Sequence, residues 1–265
     1  MSRAADALRR AGQTAQKHRF LFEELVKRDF KQKYKRTVLG MGWSILSPLL
    51  TLLVMRLVFT RFFGRNLPHY TTYLFAGNLM FSFFRESTTG GMNALMANRH
   101  IFTRINVPKY IFLLTKNVSV VINFFLTLLV FFAFALLDGV TPGLTWLAAI
   151  YPILCLAAFN IGVGLVLSAL FVFFRDIAYL YDVFIMLLMY MSAIFYSIDA
   201  YAPHIQRLFY LNPVFCAITY VRSAVIDHAV PGAGLHGLLA VYAALALLVG
   251  AWVYKKKNHE FLYYV

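Results

Sequence analysis

The residues able to do chemistry in this 265-residue chain are scattered. Its seven histidines, at positions 18, 69, 100, 204, 228, 236 and 259, form neither an HExxH motif nor a metal-ligand spacing. Cys155 and Cys216 sit in apolar surroundings far from any CxxC spacing and read as buried small hydrophobes. No GxxxxGKS/T occurs, so the chain cannot hold ATP through a P-loop. The acids Glu86, Asp138, Asp176, Asp182, Asp199 and Asp227 are dispersed and set no pair on one helix face for phosphotransfer. Catalysis has no visible home, and no enzyme activity, cofactor or metal is expected of this chain. A polytopic protein with neither an active site nor a relay of buried acids reads as a conduit powered from elsewhere.

Composition sets the class of the elements that surround these residues. The chain is 61% hydrophobic, 17% aromatic and 14% charged, where a soluble domain carries about 25% charged residues. Mean hydropathy is +0.68. A net charge of +14 raises the question of nucleic acid. The charges, however, stand at the ends of apolar runs rather than on one face, which argues against it. Residues 1–19 are polar and basic without an apolar h-region, so no cleavable signal peptide is expected there.

The chain changes solvent between Lys27 and Trp43. A dense cationic run is followed at once by residues 44–59, in which only Arg56 is charged. Within the run, Phe22, Val26, Phe30 and Tyr34 recur at i+4, with Leu21 and Leu25 beside them, while Lys27, Arg28, Lys31 and Lys35 lie largely opposite. That pattern predicts a helix over 20–36 lying in the membrane interface, apolar face down; a solvated helix on a soluble domain is the plainer alternative. Residues 1–38 are thus a cytoplasmic tail plus interface helix, and 39–265 a transmembrane domain.

The expected fold is all-α, with six transmembrane helices. The spans run about 42–59, from near 70 to a polar inner end around Arg85-Glu86 and Gly90-Gly91, then 111–137, 146–174, 177–198 and 235–254. The second span is the least apolar and is expected to kink or unwind near Gly90-Gly91 while lining something wet. With the amino terminus inside, eleven Lys and Arg in 1–41, five in 85–116, Arg175 and three in 255–257 face the cytoplasm, twenty in all, against Arg61, Arg65, Arg207 and Arg222 outside. Both termini are therefore expected in the cytoplasm, in line with the positive-inside rule.

Between spans five and six, residues 199–230 are too polar to cross. Tyr201-Ala202-Pro203 starts one short helix to Tyr210, Leu211-Asn212-Pro213 breaks it, and Pro213 suits the first turn of a second helix to about Ile226. Two short helices around a break predict a re-entrant outer hairpin, with an ordinary outer loop as the alternative. Asn212 is expected to bond backbone groups left open where the first helix ends. Tyr201, Phe209, Tyr210 and Tyr220 either anchor at the headgroups or offer an aromatic surface along which a passing molecule slides, and Phe209 and Phe215 are candidates for a seal. Arg56 snorkels or meets a partner; Arg85 and Glu86, deeper, are candidates for the translocation path.

An ordered set of motifs carries a family resemblance over essentially the whole chain. Arg28-Asp29-Phe30-Lys31-Gln32-Lys33-Tyr34, then Leu39-Gly40-Met41-Gly42-Trp43 and Pro48-Leu49, resemble the membrane subunits of polysaccharide-export ABC transporters. Asn106-Val107-Pro108-Lys109-Tyr110-Ile111-Phe112 and Leu211-Asn212-Pro213, with Arg222 beyond, sit where that family has comparable motifs. The resemblance implies a type-2 exporter in the bacterial cytoplasmic membrane in which two permeases pair with two separate ATP-binding subunits. ATP and Mg would then be bound by the partner ATPase and none by this chain. It also implies that residues 97–107 form a coupling helix on the ATPase, with Asn98, Arg99, His100, Phe102 and Arg104 as contacts and Arg175 and Asp176 at a second cytoplasmic turn. The 199–230 hairpin becomes an outer gate built from Tyr201, Phe209, Tyr210, Asn212, Pro213, Phe215 and Tyr220.

The expected cargo is a polymer linked to an undecaprenyl-diphosphate type carrier, in the first instance wall teichoic acid, with O-antigen or capsular polysaccharide as the alternative. Self-association into a homodimer and contact with membrane lipids follow; nucleic acid does not. A membrane enzyme acting on polyprenyl-linked lipids is a remoter reading, because it needs an acidic or histidine cluster at one membrane face. A proton-coupled secondary transporter lacks its paired broken spans.

Overall fold

The computed structural model describes residues 19–31, 37–63, 68–104, 107–258, 260–262 and 264, and every regular element among them is helical. In chain order the helices are α1 (19–31), α2 (Trp43–Phe63), α3 (Tyr70–Ala97), α4 (Arg99–Phe102), α5 (Tyr110–Leu137), α6 (Ile150–Phe173), α7 (Ile177–Met191), α8 (Pro203–Phe209), α9 (Pro213–Val225) and α10 (Ala233–Lys257). Among the described residues, three segments are long and apolar enough to cross a bilayer: Tyr110–Leu137, Leu144–Phe173 and Ala233–Lys257. The bent pair α8–α9 is a fourth candidate, and Trp43–Phe59 and Ile177–Met191 are apolar but shorter.

Helix α3 is the centre of the molecule. At 28 residues it is about 42 Å long. It is buried nearly all round, packing on α5, α6, α9 and α2. Its start is tied to the end of α5: the Thr72 backbone N–H and hydroxyl both donate to the Asp138 carboxylate, at 3.2 and 2.7 Å. The expected unwinding at Gly90-Gly91 does not occur: α3 is helical without a break from Tyr70 to Ala97. Gly91 instead lies against Gly164 of α6, so the absence of side chains there serves close approach rather than a break. The polar residues that suggested unwinding are accommodated on one face, described below.

The apolar residues divide into two cores. The larger gathers Phe75, Phe83, Phe124, Phe131, Ile153, Leu156 and the inner face of α9. The smaller, at the other end of the bundle, joins Leu25 of α1 to Leu95, Phe102, Phe112, Val172, Tyr254 and Phe261. Helix α1 is thus docked on the bundle. Its innermost residues are Leu25 and Asp29, while Phe22, Val26 and Phe30 are half-buried and Lys31 is exposed. Tyr34 lies outside the described residues.

Span five ends early. Helix α7 stops at Met191 rather than near 198, and at 15 residues it is only about 22 Å long, short of the ~30 Å hydrocarbon core. Residues 192–196 follow it as irregular backbone, with Ala193 in the left-handed region at φ 47°. Such backbone survives in a low-dielectric setting only if its polar groups find partners. The donors come from elsewhere in the chain. The Asn212 amide reaches the Met191 carbonyl, the Arg222 guanidinium those of Ala193 and Ile194, the Tyr70 hydroxyl that of Phe195, and the Tyr73 hydroxyl that of Tyr196.

Candidate functional site

The polar face of α3 meets α2 and α5 around a cavity of about 500 Å³. Ser44, Ser47 and Thr51 come from α2, Asn78, Ser82, Arg85 and Glu86 from α3, and Asn123 and Thr127 from α5, with Met189 of α7 at one side. Polar groups recurring along one face of a long helix, opposite polar groups of two neighbours, make a lining suited to a hydrated or polar occupant. A second cavity of about 460 Å³ shares Arg85, Glu86 and Val120 with the first. Asp29, Lys116, Ser119 and Asp182 border it as well, so four helices (α1, α3, α5 and α7) contribute charged or polar groups to its walls. Arg85 is exposed and Glu86 half-buried on this shared wall. Arg56, the third candidate for the path, is exposed on α2 and lines neither cavity.

The segment after α3 is held from below and open above. Asn98 is buried: its amide donates to the Ala94 carbonyl, and its carbonyl oxygen accepts from Arg28 of α1 at 2.7 Å. Arg28 is also paired with Asp29, so the interface helix and the 97–104 segment are joined through one guanidinium. Phe102 is buried against Phe112 in the smaller core, 6.0 Å between ring centres. It supports α4 from beneath, while Arg99, His100 and Arg104 are exposed. At the α6–α7 turn Arg175 and Asp176 are exposed, and Arg175 lies over the Phe171 ring at 5.6 Å.

At the other end, α8 and α9 are bent by 103° at the break containing Asn212. Their bounds match the sequence reading to within a residue or so, with Pro213 in the first turn of α9. Asn212 bonds different groups from those expected. Its side-chain oxygen accepts from the Val214 N–H and so caps the start of α9, and its amide holds Ser192 and Met191 at the end of α7. Five rings form a connected cluster, Tyr196, Tyr201, Phe209, Phe215 and Tyr210, with centroid separations between 5.4 and 6.4 Å. Tyr220 does not join it; its hydroxyl is 2.7 Å from His236 Nε2 and its ring lies by Tyr151.

Arg222, counted in the sequence as a water-facing outer charge, is buried at 7% exposure. It donates to the carbonyls of Tyr73, Ala193 and Ile194 and sits 3.4 Å from the Tyr73 ring centre. It is the joint at which α3, the end of α7 and α9 meet. Two sequence signals bore on it: its place in the motif with Leu211-Asn212-Pro213, and its helical spacing among apolar positions (Ile218, Val221, Val225). Among the described residues no three of His, Cys, Asp and Glu come together as a metal site.

Residues 21–226 match the ABC-2 type transporter family. The chain is 28% identical over 247 residues to the O-antigen export system permease protein RfbA of Klebsiella pneumoniae, covering 91% of this chain and 95% of that protein. It is 26% identical over 248 residues to the protein of the same name from Myxococcus xanthus, covering 92% and 95%.

Proposed function

Because the chain belongs to the ABC-2 type transporter family, we propose that it is the permease subunit of an ATP-driven exporter of a lipid-linked cell-surface polysaccharide. The end-to-end likeness to permeases named for O-antigen export carries this reading. It favours an O-antigen type glycan over the wall teichoic acid first expected, with capsular polysaccharide next. The protein lies in the inner membrane with both termini in the cytoplasm, and α2, α3, α5, α6, α7 and α10 are its six spans. The charge asymmetry supports that orientation, and burying Arg222 removes one of the four outer charges that opposed it. Two copies pair with two ATP-binding subunits, which carry ATP and Mg. Exposed apolar faces on α2 (Leu50, Leu53, Val54, Leu57) and α7 (Val183, Phe184, Leu187, Tyr190) support pairing of the permeases through these helices.

In this reading the polar cavities beside α3 belong to the path, the 97–107 segment rests on the ATPase, and α8–α9 with its ring cluster is the outer gate. Arg104→Glu is expected to leave insertion intact and to lower transport per ATP hydrolysed about tenfold, the size of a typical coupling energy. Phe102→Ala is expected to lower coupling too, by loosening α4 on its core. Paired export and ATPase measurements on both variants check this; wild-type coupling in both contradicts it.

Arg85→Leu is expected to slow a phosphate-bearing polymer about tenfold more than a neutral one, because a hydrogen bond to a charged partner is lost only for the former. Equal slowing assigns Arg85 a purely structural role. The functional proposal itself is tested by co-purification. Tagged permease should bring down an ATP-binding subunit in equal amount. Recovery of a soluble sugar-nucleotide donor instead would favour the membrane-enzyme reading.

A further inference from the structure

A groove of about 390 Å³ opens on the outside of the bundle between α5, α6 and α10. It shares no residue with the two cavities beside α3. Leu114, Leu165, Ala251 and Tyr254 give it apolar walls, and Lys109 and Lys255 stand among its lining residues at one end of their helices. Lys109 precedes the first residue of α5 and Lys255 lies in the last turn of α10. Because both line the same groove, the start of α5 and the end of α10 lie at one end of the bundle.

The two cations are available to different degrees. Of the three terminal lysines, Lys257 is paired with Glu260 and Lys256 lies over the Trp252 ring, whereas Lys255 is exposed and has no partner among the described residues. Lys109 donates to the Asn258 carbonyl at 2.6 Å and lies 5.5 Å from the Phe261 ring centre, which fixes its head at the rim and leaves its charge without a carboxylate. No acid is among the residues lining the groove. Tyr254 forms part of its wall and is 6% exposed, and its hydroxyl has no hydrogen-bond partner among the described residues. Apolar walls beneath two cations that face no carboxylate, beside an orphan hydroxyl, match a molecule with hydrocarbon below and an anionic oxygen-rich head above.

We propose that this groove binds an anionic glycerophospholipid, its phosphate between Lys109 and Lys255 and one acyl chain along Leu114, Leu165 and Ala251. The juxtaposition of an open apolar groove with two lysines and no acid carries the proposal. It rests on the functional reading only for the leaflet, the cytoplasmic one. The site lies away from the polar cavities, which makes a resident bilayer lipid a better occupant than the lipid-linked cargo.

The test uses the full-length permease in complex with its ATPase, delipidated and exposed to vesicles of phosphatidylglycerol, phosphatidylcholine or lipid containing undecaprenyl phosphate. Retained lipid is read by native mass spectrometry, without polymer or ATP, so the result stands apart from any failure of export. Wild type is expected to retain phosphatidylglycerol over phosphatidylcholine. Lys255→Glu, at an exposed position where folding is not at stake, is expected to cut that preference about fivefold or more, and Lys109→Gln about fivefold. Equal retention of the two phospholipids by the wild type, or an unchanged preference in both variants, overturns the proposal. So does preferential capture of undecaprenyl phosphate, which would give the groove to the carrier. Loss of the ATPase from Lys255→Glu with lipid retention unaltered would overturn it in favour of a protein contact.

Discussion

Arg222→Leu is expected to lower the stability of the permease by about 2–4 kcal/mol, and to abolish export wherever protein still accumulates. The guanidinium supplies hydrogen bonds to the carbonyls of Ala193 and Ile194, two groups in irregular backbone without a helical partner. Leucine of similar bulk leaves both acceptors in apolar surroundings, each costing about 1–3 kcal/mol. Relief from burying the guanidinium offsets part of this, so the sum is several kcal/mol rather than more. The Tyr73 carbonyl loses least, since it belongs to α3. Arg222→Lys should recover part of the loss, because one ammonium cannot span three carbonyls in a fixed fork. Thermal unfolding of the detergent-solubilised protein measures the effect. Wild-type stability for Arg222→Leu would mean that water or another donor serves the 192–196 backbone.

Gly162→Val is the second large effect, and its cause is steric. Helices α6 and α10 touch backbone to backbone at Gly162 and Gly250. A Cβ on Gly162 would fall inside the Ala246 carbonyl, and one on Gly250 would overlap the Gly162 carbonyl. No flexible side chain stands between them to move aside, so the helices must separate. Overpacking of this kind costs about 1–3 kcal/mol when side chains yield, and more when backbone has to shift. We expect Gly162→Val to fail to accumulate in membranes, and Gly162→Ala to show a graded loss. Gly237→Ala, whose added carbon meets open space, is the matched control and should behave as wild type. Equal levels of Gly162→Val and wild type would show that α6 and α10 are not packed as described.

Much of the scaffold was legible because the solvent boundary is written in composition. Apolar runs bounded by basic residues mark α5, α6 and α10, and Pro203 and Asn212-Pro213 punctuate α8 and α9 through local backbone chemistry alone. What escaped was decided at long range. Residues 192–198 read as a continuation of α7, because the donors that hold them out of the helix (Tyr70, Tyr73, Arg222) lie far off in sequence. Arg222 itself looked like one more outer charge, since an arginine's identity does not reveal whether carbonyls will surround it. In α3, Thr71, Asn78, Ser82, Arg85 and Glu86 suggested a break; the structure divides them between buried contacts and the cavity wall without interrupting the helix. Arg85 and Glu86, singled out in the sequence by their depth, line both cavities. Asn123 and Thr127 of α5, which face the first of these, were hidden in a run apolar enough to read as plain span.

Export from sealed vesicles tests the central claim most directly. The permease and its ATP-binding partner are reconstituted with undecaprenyl-diphosphate-linked glycan on the outer, cytoplasm-equivalent face, and ATP is added from that side. The account predicts ATP-dependent appearance of an O-antigen type glycan in the vesicle lumen, lost with Arg222→Leu and reduced per ATP with Arg104→Glu. ATP hydrolysis by the assembled complex with no glycan of any kind moved to the lumen would contradict it.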